Sequence, residues 1–363
     1  MTPTVVALLF GGRSSEHSIS CATAGGVLGA IDRSRYRVIP IGITQDGAYV
    51  LESDDPAQFA LDPARLPEVT DTGTRVLWPE SATSRELRVR DASGERSLGD
   101  VDVVFPILHG RFGEDGSVQG LLELLGLPYV GNGVLASALG MDKHVTKTVL
   151  TAAGISVAPW VSVTPESWAG ERDLWERRVR ALALPVFVKP ARAGSSVGVT
   201  KVSDWADLDA ALAEAFVHDR TALVEKAISG REIEVAVLSG APGEAPRVSV
   251  AGEIVVTGRD FYDFDAKYLD ASGVDLVCPA ELGDGELFEL QRIARRAFEA
   301  LGGEGLARVD VFFTGEEFIV NEVNTMPGFT PISMFPRCWQ ASGVTYPELI
   351  DALIQHGIGR GPR

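Results

Sequence analysis

No apolar run in this chain approaches the roughly twenty residues that a membrane-spanning helix needs. The best candidate, Ala181 to Val188, is short and interrupted by Pro185. Cysteine is sparse: Cys21, Cys278 and Cys338 lie far apart and show no metal-ligand spacing. An odd, small count of this kind fits a reducing compartment, and a cytoplasmic location is expected. Basic residues are in deficit, 33 against 50 acidic, for a net charge of −17. That sign disfavours nucleic acid and anionic membranes as partners. It leaves room for a small anionic substrate held by a few local cations. No positive charge precedes the first apolar run, MTPTVVALLFGG, and a glycine pair closes it early. It reads as a buried first strand rather than a signal peptide. There is no internal repeat and no low-complexity tail.

What is present points to an enzyme-sized α/β protein. A length of 363 residues exceeds one ordinary core and suggests two or three domains. Strand-like runs at Val5–Phe10, Tyr36–Ile43 and Val101–Leu108 alternate with a small-residue helix near 18–30, the pattern of a largely parallel sheet. Residues 52–100 read as a surface excursion with short strands. A second unit is expected from Gly131, with a helix over Asp142–Ala153, a strand entering Lys189-Pro190, a helix over Leu208–Phe216 and a strand over Leu223–Lys226. A third follows, with strands over 231–238 and 248–256, a long loop over about 258–278, a helix over 286–301 and a hairpin.

The hairpin is the most informative segment. Val309–Phe313 and Phe318–Val323 read as strands joined by Thr314-Gly315-Glu316-Glu317. Side chains two apart share a face, so Arg308 and Asp310 point one way, as do Glu322 and Asn324, while Val309, Val311 and Val323 face a core. Two carboxylates and an amide make an all-oxygen site suited to Mg²⁺. An arginine beside them makes sense if metals carry phosphates. The alternative is a surface hairpin with ordinary ion pairs. Lys189 ends an apolar strand before Gly194-Ser195-Ser196-Val197-Gly198, whose N–H groups and hydroxyls suit an anion. No Walker pattern is present, and such a loop can equally be only a loop. Lys143, after Met141-Asp142, falls at a helix start, where a cation is mildly unfavourable and a phosphate would offset the cost. A solvated lysine is the other reading. His17 suits a turn or positioning role, and His144 a surface or packing one.

Taken in order, these segments resemble the ATP-grasp superfamily and, within it, the D-alanine–D-alanine ligases. The landmarks span most of the chain: Gly11-Gly12-Arg13-Ser14-Ser15-Glu16-His17-Ser18-Ile19-Ser20, Leu108-His109-Gly110 with Gly113-Glu114-Asp115-Gly116, and Met141-Asp142-Lys143. Val188-Lys189-Pro190, Gly194–Gly198, Glu225-Lys226, Phe261-Tyr262-Asp263 and Ala266-Lys267-Tyr268 follow. The last are Ala307-Arg308-Val309-Asp310, Asn321-Glu322-Val323-Asn324-Thr325 and Pro327-Gly328-Phe329-Thr330 running to Ser333. Each is weak alone; the ordered set is specific.

The resemblance implies a three-domain ATP-grasp architecture. A Rossmann-like N-terminal α/β domain (1–130) would bind substrate. Two α+β domains (131–228 and 229–363) would clamp ATP under a mobile loop at about 258–278. It implies that Lys143 and Lys189 hold ATP phosphates, with Ser195, Ser196, Lys267, Asn321 and Glu322 also in the ATP set. Glu225, Lys226 and Ile228 would be the strand edge that reads adenine, Glu232 would meet the ribose and Phe261 would close over the nucleotide. Asp310, Glu322 and Asn324 would hold two Mg²⁺ ions, Mn²⁺ being able to substitute. Glu16 would bind the first D-alanine's ammonium, with His109 nearby. Arg308 and the Gly328 N–H would stabilise the oxyanion, and Lys267 and Ser333 would clamp the second D-alanine. Glu16, Ser195 and Tyr268 would latch the loop. A homodimer serving peptidoglycan precursor synthesis is expected.

Related ligases that take a hydroxy acid lack the Lys-Tyr pair of the loop. Its presence as Lys267-Tyr268 favours a dipeptide product. Met334 stands where many relatives have leucine, a volume-conserving swap at the second site. Another ATP-grasp carboxylate–amine ligase would share the hairpin and lysines but not Glu16, Lys267-Tyr268 and Ser333 together. A non-catalytic nucleotide-binding module would be expected to lose a metal ligand or Arg308, and none is missing.

Overall fold

The computed structural model describes residues 3–62, 64–241, 243–256 and 273–361. Its first sheet is built from β1 (Thr4–Gly11), β2 (Tyr36–Ile43), β3 (Tyr49–Leu51) and, further along the chain, a strand over Val103–Pro106, in the order β3-β2-β1-(103–106). β1 runs parallel to both of its neighbours. Between β1 and β2 passes α1 (His17–Ala30), an expected crossover for parallel strands. Its small residues let other segments approach closely: a Cβ on Gly26 would lie 3.0 Å from Pro331. The excursion holds its own antiparallel sheet of β4 (Arg75–Leu77), β5 (Glu86–Asp91) and β6 (Gly94–Asp100), after which Val103–Pro106 is β7. The run expected over Val101–Leu108 is thus only four residues of strand.

α2 (Ser117–Leu124) and α3 (Val134–Met141) lead to α4 (Lys143–Ala152), which begins at Asp142 because its carboxylate caps the N–H groups of His144 and Val145. The next sheet is antiparallel, in the order β10 (Thr200–Val202), β9 (Val186–Pro190), β11 (Ala222–Lys226), β8 (Trp160–Val163). Three helices accompany it: α5 (Pro165–Gly170), α6 (Arg172–Arg180) and α7 (Leu208–His218). Its core includes Val186, Val188, Leu212 and Val224.

The last sheet has five antiparallel strands in the order β14 (Val274–Val277), β13 (Arg247–Val256), β12 (Arg231–Leu238), β15 (Leu306–Phe313), β16 (Phe318–Asn324). β14 corrects the loop expected to run to 278. Val274 and Leu276 turn inward and Asp275 and Val277 outward, a four-residue alternation too short to stand out in the sequence. α8 (Asp284–Ala300) covers one face, and α9 (Met334–Ala341) and α10 (Tyr346–Arg360) complete the chain. Leu150 and Ile155, which flank the end of α4, pack into this sheet's core with Val309 and Val320. The first sheet shares a core with the C-terminal segment: the Phe329 ring lies 6.2 Å from Phe105, 5.8 Å from Phe335 and 5.4 Å from Tyr346. Truncating such a buried ring to alanine costs about 3–5 kcal/mol, and Gly328 immediately precedes this buried anchor.

Candidate active site

The hairpin sets the chemistry. Across β15 and β16, Arg308 pairs with Asn324 and Asp310 with Glu322, so all four share one face as expected. The register shifts after Asp310, leaving Asn321 as an extra residue. This bulge was not foreseen. It re-phases β16 so that Val320 and Val323, three apart, both enter the core. The Arg308 guanidinium donates to both oxygens of Asp310, at 2.7 and 2.6 Å, and lies 3.1 Å from Glu234 of β12. Burial alone would lower its basicity. The carboxylates of Asp310 and Glu234 overcome that and hold the guanidinium firmly charged.

Lys143, at the start of α4, donates to the Ala193 carbonyl at 2.8 Å and lies 3.6 Å from Glu322. Lys189, next to last in β9, has its ammonium 3.1 Å from Glu225. β11 corrects one expectation. It lies between β9 and β8, paired through Phe187 on one side and Trp160 on the other, so Glu225 is not on an edge. The Glu225 carboxylate is buried; burial would raise its pKa, but Lys189 and Lys147 pull it below the usual range. Lys226, the last paired residue of β11, is exposed, and Ile228, two residues on, is half-buried.

The opposite end is organised by Glu16 at the N-terminus of α1. The Ser195 hydroxyl donates to its carboxylate. Ser195 and Ser196 both adopt left-handed backbone, with φ of 50° and 60°. The Glu16 carboxylate is flanked by backbone: a Cβ on Gly110 or Gly194 would lie 2.7 Å from Oε2. His109 is buried, with Nδ1 3.1 Å from the Met326 carbonyl and Nε2 3.3 Å from the Thr23 hydroxyl. Desolvation keeps its imidazole below the ordinary value, against the pull of Glu16. Glu114 donates no charge freely either, because burial, reinforced by Glu16, pushes its carboxyl well above the usual range. The Ser333 hydroxyl accepts from the Thr330 N–H at 3.2 Å, and Met334 is buried beside it.

Two cavities connect these groups. One of about 330 Å³ is lined by Glu16, His109, Arg308, Gly328, Ser333 and Met334. The other, about 170 Å³, is lined by Lys189, Ser196, Glu225, Lys226, Ile228, Glu232, Asp310 and Asn321. Lys143, Ser195 and Glu322 line both. The residues expected for the amino acids therefore collect on one side of that boundary and those expected for the nucleotide on the other. Phe261, Lys267 and Tyr268 lie outside the described residues.

Two family models match the chain: the D-ala D-ala ligase N-terminus over residues 5–132 and the D-ala D-ala ligase C-terminus over residues 149–355. The chain belongs to the D-alanine–D-alanine ligase family. Among relatives of this family, the D-alanine–D-alanine ligase of Kineococcus radiotolerans is 54% identical, over 98% of this chain and 96% of its own length. That of Paenarthrobacter aurescens is 52% identical, over 98% and 95%. Among solved structures, the VanG D-Ala:D-Ser ligase from Enterococcus faecalis superposes with a TM-score of 0.85 at 33% identity, covering 98% of this chain and all of its own. The D-alanine–D-alanine ligase from Coxiella burnetii gives 0.81 at 35% identity, covering 99% and 95%. These neighbours bear out the ATP-grasp fold read from the ordered motifs.

Several residues of the site escaped the sequence reading. Glu234 sits in the alternation Glu232, Glu234, Ala236 of β12, and a carboxylate repeated in an otherwise apolar strand was the available signal. Glu114 lies in Gly113-Glu114-Asp115-Gly116, where the resemblance assigns it no role. Lys147 follows Lys143 by one helical turn and is almost wholly buried. His17 has both ring nitrogens on backbone, Gly12 at 2.7 Å and Val69 at 2.9 Å, which matches a positioning role. His144 accepts from Trp160 at 2.9 Å, a packing role. Cys278 and Cys338, remote in sequence, meet with sulfurs 3.8 Å apart.

Proposed function

We propose that this chain uses ATP to activate one D-alanine carboxylate as an acyl phosphate and couples it to the amine of a second, releasing ADP, phosphate and D-alanyl-D-alanine for peptidoglycan precursor synthesis. Membership of the family supports the overall reaction. The residue-level reading is carried by one observation, the meeting of two cavities at Lys143, Ser195 and Glu322.

Metal fits the acidic face. Among the described residues no three His, Cys, Asp or Glu side chains cluster for a metal. Two carboxylates and an amide do share the hairpin face. Mg²⁺ characteristically takes one or two carboxylates and completes its shell with phosphates and water. Asp310, Glu322 and Asn324 would hold two such ions, Mn²⁺ substituting. Bound metal would neutralise charge on the ATP phosphates.

The chain's own groups account for the remaining tasks. Lys143 and Lys189 bind phosphate oxygens, and Ser195, Ser196 and Asn321 add polar contacts. The Glu225-Lys226 end of β11 through Ile228 reads the base, Glu232 the ribose, and Phe261 covers the nucleotide. Glu16 holds the first ammonium, with His109 lining the same cavity. Arg308, pre-oriented by Asp310 and Glu234, and the Gly328 N–H stabilise the oxyanion formed when the second amine attacks. Ser333 and Lys267 hold the second carboxylate and Met334 its methyl side. Water would hydrolyse an acyl phosphate, so a closed site is required; the Glu16–Ser195 contact, joined by Tyr268, supplies a latch. The proposal extends to three domains at 1–130, 131–228 and 229–363, a cytoplasmic location and a homodimer.

Phosphate release from ATP with a panel of D- and L-amino acids and D-lactate tests the reading. Release with D-alanine alone, with dipeptide confirmed by mass spectrometry, is expected. Turnover with another acid but none with D-alanine would overturn it. D-serine belongs in the panel, given the fold shared with a D-Ala:D-Ser ligase.

A further inference from the structure

Beneath the nucleotide cavity lies a buried triad of Lys147, Glu225 and Lys189, in which Lys147 is the member that the reaction as described does not use. Lys147 and Lys189 both contact one oxygen of Glu225, at 3.0 and 3.1 Å. The Lys147 side chain is 1% exposed and that of Glu225 5%. Lys189, at 11%, lines the smaller cavity; Lys147 lines neither. Two cations therefore share one anion, and the surplus positive charge is the one that faces the nucleotide side.

We propose that Lys147 is a positioning residue of the nucleotide pocket: by neutralising Glu225 it leaves the charge of Lys189 free to meet a nucleotide phosphate. This rests on the reading of Lys189 as a phosphate ligand. Without Lys147, Glu225 and Lys189 would form a neutral pair, and a neutral pair in a nearly dry site attracts an anion far less than a cation does. The sequence arrangement supports the role. Lys143 and Lys147 lie four apart on α4 and so on one face. The first reaches the cavity boundary and the second supports the strand end beside it. Burial pulls the Lys147 ammonium toward lower basicity while Glu225 opposes it, which is the expected behaviour of a cation held inside by a partner. Either lysine alone would keep Glu225 paired, so the fold should survive loss of one.

The test uses the full chain. Binding of MgADP is measured by calorimetry, alongside steady-state kinetics and thermal melting. Lys147→Met should weaken MgADP about ten- to a hundredfold and raise KM for ATP in proportion, with KM for D-alanine nearly unchanged. In a Glu225→Gln background, where no anion is left to pair with Lys189, adding Lys147→Met should change MgADP affinity by less than about threefold. MgADP binding by Lys147→Met within about twofold of the parent would overturn the proposal. So would a Lys147→Met effect as large in the Glu225→Gln background as in the parent, because a merely structural lysine would not depend on the charge of its partner. If Lys147→Met alone fails to fold, the comparison in the Glu225→Gln background and Lys147→Arg decide by the same affinities. Failure of the parent chain to bind MgADP would instead strike the functional reading beneath the proposal.

Discussion

The Ser195 hydroxyl donates to the carboxylate of Glu16, joining the glycine-rich loop to the start of α1 across 179 positions of sequence. Ser195 lines both cavities, and Glu16 the larger of the two. Ser195→Ala removes the donor and leaves Glu16 partly desolvated without it, a loss of about 1–3 kcal/mol. Turnover should fall about tenfold or more while MgATP affinity stays within a few-fold. Steady-state kinetics varying each substrate checks this; unchanged kcat would remove the latch.

Asp310 and Glu322 face each other on the hairpin. Asp310→Asn and Glu322→Gln should each lower turnover about a hundredfold or more, and a chelator should abolish the activity of the parent chain until Mg²⁺ or Mn²⁺ is returned. Arg308 keeps Glu234 as a partner in the first variant, so circular dichroism should report an intact fold. Chelator-resistant turnover would exclude a metal on this face.

Burial holds His109 below its ordinary value of 6.5. Just below that pH the unfolded chain binds a proton that the folded chain does not. The associated stability is fully present above about pH 6.5 and is lost as pH falls, by at most about 1.4 kcal/mol per pH unit. Urea melts between neutral and mildly acidic pH should therefore fall more steeply for the parent chain than for His109→Gln. Parallel slopes would assign the acid sensitivity elsewhere.

Gly252 leaves room for Met334: a Cβ there would collide with the Met334 sulfur. Gly252→Ala should push that flexible side chain into the larger cavity. The kcat/KM ratio for D-alanine over D-serine as acceptor should change about tenfold, with KM for ATP within about twofold. An unchanged ratio would show that Met334 does not shape the second site.

The three thiols should react in a fixed order. The hydrogen bond with Cys338 draws the Cys278 thiol below its ordinary range, while burial pushes Cys21 up to about 12. Iodoacetamide near neutral pH should label Cys278 first and Cys21 only after denaturation. Peptide mapping by mass spectrometry reads the order, and early labelling of Cys21 would contradict its burial.

The sequence by itself determined the parts of this protein that are local. The two-residue period of a strand put Arg308 with Asp310 and Glu322 with Asn324, and the turn at Thr314–Glu317 brought the pairs together. Asp142 before a helical pattern announced the start of α4, and the ordered motifs carried the family. Only the tertiary structure decided the groups whose meaning depends on partners from other elements. Glu225 became the shared anion of two lysines because β11 lies inside its sheet. The bulge at Asn321 arose because Val320 and Val323 must both enter one core. Glu234 reached Arg308 through pairing of β12 with β15. Periodicity reports which way a side chain points along its own strand. It carries no record of which strand lies alongside, and that neighbour sets the burial and charge on which this site depends.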